Sequence, residues 1–150
     1  MPYRFRLETL LRLRAGHERQ EQQRLQQIAQ EMLVCDREIE EMQSERASLR
    51  ERQYDALARG KRILGSELFI YTVSFRGLRS KELALEKRKA ELRMRCAKQR
   101  DALQAATSKR EILERLRDRE ASAYRIEQLR REQTAIDDLF TVSHPRGEAE

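Results

Sequence analysis

Few side chains in this sequence are of the types that nucleophilic or metal chemistry uses. The two histidines, His17 and His144, are isolated. Neither has a second imidazole or thiol within one helical turn, the spacing at which two ligands share a metal. The two cysteines, Cys35 and Cys96, are too few for a disulfide framework and lack the paired spacing of a zinc site. Both fall on the apolar stripes described below, where cysteine serves as a small buried hydrophobe. Gly60-Lys61-Arg62 lacks the preceding glycine and the following hydroxyl residue of a phosphate loop. Carboxylates are abundant, but general acid–base work needs a concave site that shifts a pKa, and an open pair of helices offers none. The chain therefore reads as non-enzymatic, with no catalytic residue, no metal site and no cofactor.

Composition points to long helices. Of the 150 residues, 39% are charged and only 5% aromatic, with no Trp, which is too few large apolar residues for a central globular core. Mixed charge signs and periodic apolar residues argue against disorder. The net charge is +6, and with only six lysines the basic excess is mostly arginine. Arginine suits acidic protein surfaces or phosphates; on helix faces it also forms ordinary ion pairs. No apolar run is longer than Leu68-Phe69-Ile70-Tyr71, so nothing spans a membrane and no secretory h-region is present. The N-terminal stretch from Arg4 to Arg14 is Arg-rich and amphipathic, a pattern shared with organelle presequences and membrane-surface helices. A cytoplasmic protein is the simplest reading.

Breakers divide the chain. Pro2 and Pro145 are the only prolines, and neither Pro nor Gly occurs in 17–59 or 78–144. Glu, Arg, Gln, Leu and Ala dominate both stretches, which predicts two long helices. The first covers about 4–59 and the second about 67–140. Between them lies a turn at about 60–66, whose glycines end one helix and whose Ser66 caps the next. A flexible tail is expected over 141–150, with Pro145 and Gly147. Gly16 and Gly77, inside the helices, mark a kink or a close contact. Residues 68–75 are rich in aromatic and β-branched types, but no second such run exists to pair with them, so they too are read as helix.

Alternating steps of three and four select Leu25, Ile28, Met32, Cys35, Ile39, Met42, Arg46, Leu49, Gln53 and Ala56 in the first helix. That is a narrow seam of two residues per heptad. The second seam runs Leu64, Leu68, Tyr71, Phe75, Leu78, Glu82, Leu85, Lys89, Leu92, Cys96, Gln99, Leu103, Ala106, Arg110, Leu113, with more polar interruptions, and its register slips beyond Leu113. Two seams joined by a short turn fold back on each other. The expected fold is all-α, an elongated two-helix antiparallel coiled-coil hairpin over 1–140, monomeric, with a first helix about 80 Å long. This register sets Arg46 near Glu82 and Cys35 within a turn or two of Cys96. It places the start of the first helix near residue 120 and leaves 121–140 partly unpaired.

Three places exceed what a seam needs. Phe5 to Arg14 carries a wide apolar face, because Leu10 and Leu13 fall off the Leu7/Leu11 line. The second helix from Leu113 to Glu120 and from Tyr124 to Gln133 is Arg-dense. The turn end gathers Tyr54, Leu57, Ile63, Leu64, Leu68, Phe69, Tyr71 and Phe75, half of the chain's eight aromatics among them. Exposed apolar clusters mark interaction sites.

The opening Phe5-x-Leu7-Glu8-x-Leu10-Leu11-x-Leu13-Arg14 resembles the start of FliJ-family flagellar export proteins. The close resembles that family too, in Leu116, Tyr124 and Arg130-Arg131-Glu132-Gln133-x-x-Ile136-Asp137-Asp138, where Asp138 stands at the family's usual Glu. The resemblance implies a coiled-coil stalk whose helix-terminus end docks in the hexameric flagellar export ATPase. Its middle or turn end then reaches the cytoplasmic domain of the export gate, and export chaperones are further partners. Carried onto this chain, it assigns Leu7, Leu10, Leu11, Arg14, Arg119, Tyr124, Arg131 and Gln133 to the ATPase. It assigns Tyr54, Leu57, Leu68, Tyr71 and Phe75 to the gate. The implied location is cytoplasmic, peripheral at the inner membrane. Rival readings are the equivalent stalk of a virulence secretion system, a self-associating scaffold, and a nucleic-acid binder motivated by a pI near 9.7. Against the last, Arg and Glu alternate and no uninterrupted basic stripe appears.

Overall fold

The computed structural model describes residues 2–59, 62 and 64–143. It contains two helices, α1 over Glu8–Ala58 and α2 over Gly65–Ser143, and no strand among the described residues. The fold is all-α, with the two long helices packed against each other. Residues 68–75, the strand-like run, are helical. Thr72 meets the demands of a β-branched residue there by donating its hydroxyl to the Leu68 carbonyl at 2.9 Å. Gly60, Lys61 and Ile63 of the expected turn, and His144, Pro145 and Gly147 of the expected tail, lie outside the described residues.

Both helix starts differ from the sequence reading. α1 begins at Glu8 rather than near residue 4, because Phe5 turns inward and is buried while its carbonyl accepts the Glu8 amide at 3.3 Å. In α2 the Leu64 carbonyl accepts the amides of Glu67 at 2.9 Å and Leu68 at 3.2 Å. Leu64 thus holds the capping place, and Ser66 sits inside the first turn. Glu8 and Glu67 lie in the first turns of their helices, where a carboxylate is favoured by the helix dipole.

The chain divides into two units. Met1–Arg19 with Gln104–Glu150 forms one, and Gln20–Leu103 the other. In the second, residue numbers rise along α1 as their partners' numbers fall along α2. Glu21 accepts from Gln99, Glu31 pairs with Arg95 at 3.5 Å, Asp36 pairs with Lys89, and Arg46 pairs with Glu82. The pairing is therefore antiparallel. All ten seam positions from Leu25 to Ala56 are buried or half-buried. Ile28, Cys35, Leu92 and Cys96 form the innermost layer. Burying a side chain of this kind contributes about 1.5–3 kcal/mol. Cys35 donates to the Leu85 carbonyl at 3.4 Å, and both thiols are free.

The polar interruptions of the second seam are rungs. Glu82, Lys89 and Gln99 each meet an oppositely charged or accepting partner on α1. Among the described residues no buried side-chain nitrogen or oxygen lacks a hydrogen-bond partner. An unpartnered charge at such a place costs several kcal/mol, so each rung penalises any slip of one helix along the other.

In the Met1–Arg19 and Gln104–Glu150 unit the same antiparallel arrangement holds. Glu18 meets Thr107 at 3.2 Å and Arg110, while the Tyr3 hydroxyl donates to Glu120 at 3.1 Å. The buried line of α1 passes through Leu7, Leu11, Arg14 and Glu18. On α2 half-buried positions continue in steps of four and three through Leu113, Arg117, Glu120 and Tyr124. The packing register therefore does not slip beyond Leu113; only the side-chain chemistry changes from apolar to polar. The N-terminal segment thus lies beside residue 120, as expected, and half-buried positions on α2 run on through Tyr124 to Gln128. From residue 129 to 143 every position is exposed. At Gly16 and Gly77 the helix is continuous, and a Cβ at either would meet nothing within 4 Å, so neither glycine makes a close contact.

Candidate protein-interaction surfaces

No helix among the described residues is long and apolar enough to cross a membrane. No group of three or more potential ligands there could hold a metal ion. The concave features are shallow and open. The largest, in the Gln20–Leu103 unit, is lined by Ser44, Ser48, Arg52, Ser74, Gly77 and Lys81 and holds no buried titratable group.

The apolar surface nearest the α1–α2 connection belongs to the Gln20–Leu103 unit. Two helices bury one stripe each, and here Tyr71, Phe75 and Leu78 fill the inward line of α2 and are half-buried. The remaining apolar residues of this stretch have no facing helix. Tyr54, Leu57, Leu64 and Leu68 are exposed, with Phe69 at 68%, Ile70 at 62% and Val73 at 50%. Of the five residues assigned to the gate, Tyr54, Leu57 and Leu68 are thus open to a partner, while Tyr71 and Phe75 are partly spent on the seam. Ile70 and Val73 were missed by the sequence reading. Their signal was present, since the inward line takes Tyr71 and Phe75 and leaves their neighbours on the outer face.

The other assigned set lies in the Met1–Arg19 and Gln104–Glu150 unit. Leu11 is 6% exposed, because its position on the seam packs it into its own unit. Leu7 and Arg14 share that inward line and are half-buried, as is Leu10 beside it. Leu13, at 67% exposure, is the outward apolar residue of this turn. On α2, Tyr124 is half-buried and its ring packs on Tyr3 with centroids 5.6 Å apart and a 42° tilt. Arg119 is exposed. Arg131 is exposed and bonded to Glu127 at 3.1 Å; Gln133 is exposed and donates to Asp137 at 2.9 Å.

Electrostatics in this unit follow from those contacts. Arg110 is gripped by Glu18 and by Glu114, and these hydrogen bonds, that to Glu18 first, raise its pKa further. Burial, reinforced by the hydrogen bond to Glu120, pushes the Tyr3 phenol above its ordinary 10.0. Neither group is poised for proton transfer near neutrality. Both tie α2 to the N-terminal part of the chain within this unit.

The model of the flagellar FliJ protein family matches residues 3–148. This chain belongs to the FliJ family. The match takes in both units and both helices. Comparison with curated proteins and with solved structures finds no match. FliJ proteins are non-enzymatic components of the flagellar export apparatus, and this chain is placed among them.

Proposed function

We propose that this FliJ-family chain is the coiled-coil stalk of the export apparatus, seated in the hexameric export ATPase and linked to the cytoplasmic domain of the export gate. The ATPase-facing surface is carried by the Met1–Arg19 and Gln104–Glu150 unit, with Leu13, Arg119, Arg131 and Gln133 outward, Leu10 and Tyr124 half-buried beside them, and Leu7, Leu11 and Arg14 supporting them from the seam. The gate-facing surface is the apolar end of the other unit: Tyr54, Leu57, Leu68 and the edges of Tyr71 and Phe75, widened by Phe69, Ile70 and Val73. Export chaperones are further partners, and the protein works at the cytoplasmic face of the inner membrane.

The observation that carries this reading is the exposure of large apolar side chains on helices whose seams are already filled. Singly exposed apolar residues are ordinary, but a cluster needs a partner. Arginines at the rim suit an acidic partner surface. The test is capture of the cognate export ATPase and of the gate's cytoplasmic domain by the purified chain. Leu13→Asp should cut ATPase capture and spare the gate. Phe69→Asp should do the reverse. Equal loss of both partners, or of neither, would sink the division of labour.

A further inference from the structure

Past the last contact with α1, α2 continues to Ser143. On this stretch Ile126, Leu129, Gln133, Ile136 and Phe140 recur at alternating steps of three and four, the spacing of a coiled-coil seam. The four apolar members are exposed by 46% to 65%. They do not extend the line that packs on α1, which runs through Tyr124 and ends at half-buried Gln128. Ile126, two residues past Tyr124, lies about 200° round the helix from it at about 100° per residue. The stretch therefore carries a second seam, separate from the first, with nothing on it among the described residues.

We propose that this second seam binds the same seam of another copy of this chain, the two helices running antiparallel. The charges beside it select both the partner and its direction. Arg125, Arg130 and Arg131 come first and Asp137 and Asp138 last, with Glu127 and Glu132 between, so three arginines face four carboxylates and two copies carry little net repulsion. Residues flanking a seam meet the flanks of the partner helix. In a parallel pair Arg125 meets Arg130 of the second copy and Glu132 meets Asp137, so both flanks are like-charged. In the antiparallel pair Arg130 meets Asp137 of the second copy, and by symmetry Asp137 meets its Arg130. Leu129 then packs on Phe140 of the second copy and Gln133 on its Ile136. Asp137 accepts from Gln133 of its own helix at 2.9 Å, and a carboxylate has further lone pairs for an arginine.

Five seam positions make a small interface, near or below the roughly 1,000 Å² of a stable complex. Association is therefore weak and reversible. Arg131 and Gln133 lie on the same stretch, so a second copy and the proposed ATPase partner exclude each other there. The dimer itself does not depend on that partner.

Sedimentation equilibrium of the full chain over a wide concentration series tests this. A reversible monomer–dimer equilibrium is expected. Leu129→Asp should raise Kd by roughly tenfold or more. Arg130→Asp should weaken the dimer, and adding Asp137→Arg to it should restore Kd to near the original value. Glu132→Arg should leave Kd nearly unchanged, whereas tightening by this change would establish a parallel pair and overturn the proposal. Circular dichroism checks that each variant keeps its helix. A chain that stays monomeric throughout, a dimer indifferent to Leu129→Asp, or no recovery in the double variant would each overturn it.

Discussion

Arg46 and Glu82 meet across the helix pair of the Gln20–Leu103 unit in an ion pair whose carboxylate is buried. Arg79 approaches the same carboxylate at 3.5 Å from one turn earlier on α2. Glu82 is thus held by two guanidiniums at a position where the seam otherwise takes leucine. Reversing one partner leaves like charges in contact at a half-dry site. Arg46→Glu or Glu82→Arg should each cost about 2–4 kcal/mol by denaturant unfolding. The double reversal should recover most of that loss. Additive losses in the double variant would mean the two residues do not fix the register.

Gly16 and Gly77 sit in continuous helix with open space where a Cβ would be. Alanine at either restricts the unfolded chain and fits the folded one. Gly16→Ala and Gly77→Ala should therefore each stabilise by about 0.5–1 kcal/mol, read as a higher denaturant midpoint at unchanged slope. A destabilised variant would reveal a bend or contact that these helices need.

The seams were legible because a two-per-heptad apolar line leaves little freedom. Every residue from Leu25 to Ala56 chosen by stride alone faces inward, and the same stride sets Arg46 near Glu82, with which it pairs. The rest was obscured by chemistry that departs from that line. Glu18 and Glu21 continue the same stride toward the N-terminus, but as carboxylates they look like solvent-facing residues. Their partners Arg110 and Gln99 are what make them internal. Leu11 and Leu13 share the wide apolar face of that turn, and only packing shows that Leu11 is the inward one. The helix starts were missed because Phe5 and Leu64 act through backbone carbonyls, which any residue carries.

Leu11 and Leu13 should separate folding from binding. Leu11→Asp places a charge at a buried seam position and should destabilise its unit by about 3 kcal/mol or more. Its helical signal and melting temperature fall together. Leu13→Asp should change stability by about 0.5 kcal/mol or less, as surface changes do. Loss of ATPase capture by Leu13→Asp at full helicity then reports on the interface alone, whereas the same loss with Leu11→Asp does not. A fully folded Leu11→Asp chain would contradict the packing of this turn.

Tyr3 makes the stability of the Met1–Arg19 and Gln104–Glu150 unit sensitive to alkali. Burial and the hydrogen bond to Glu120 favour the neutral phenol and raise its pKa above the ordinary 10.0. A raised folded-state pKa means that the neutral form is held more tightly in the folded chain than in the unfolded one. The stability it contributes is complete below 10.0 and fades as pH rises through the higher folded-state value. Above that, a phenolate beside the Glu120 carboxylate and packed on Tyr124 repels the helix it had held. In an ultraviolet titration one tyrosine should ionise later than its ordinary value, and Tyr3→Phe should remove that late phase. The same substitution should flatten the alkaline fall in stability while lowering the neutral-pH value slightly through loss of the hydrogen bond to Glu120. If the late phase persists in Tyr3→Phe, the contact between Tyr3 and Glu120 is not what closes this end of the pair.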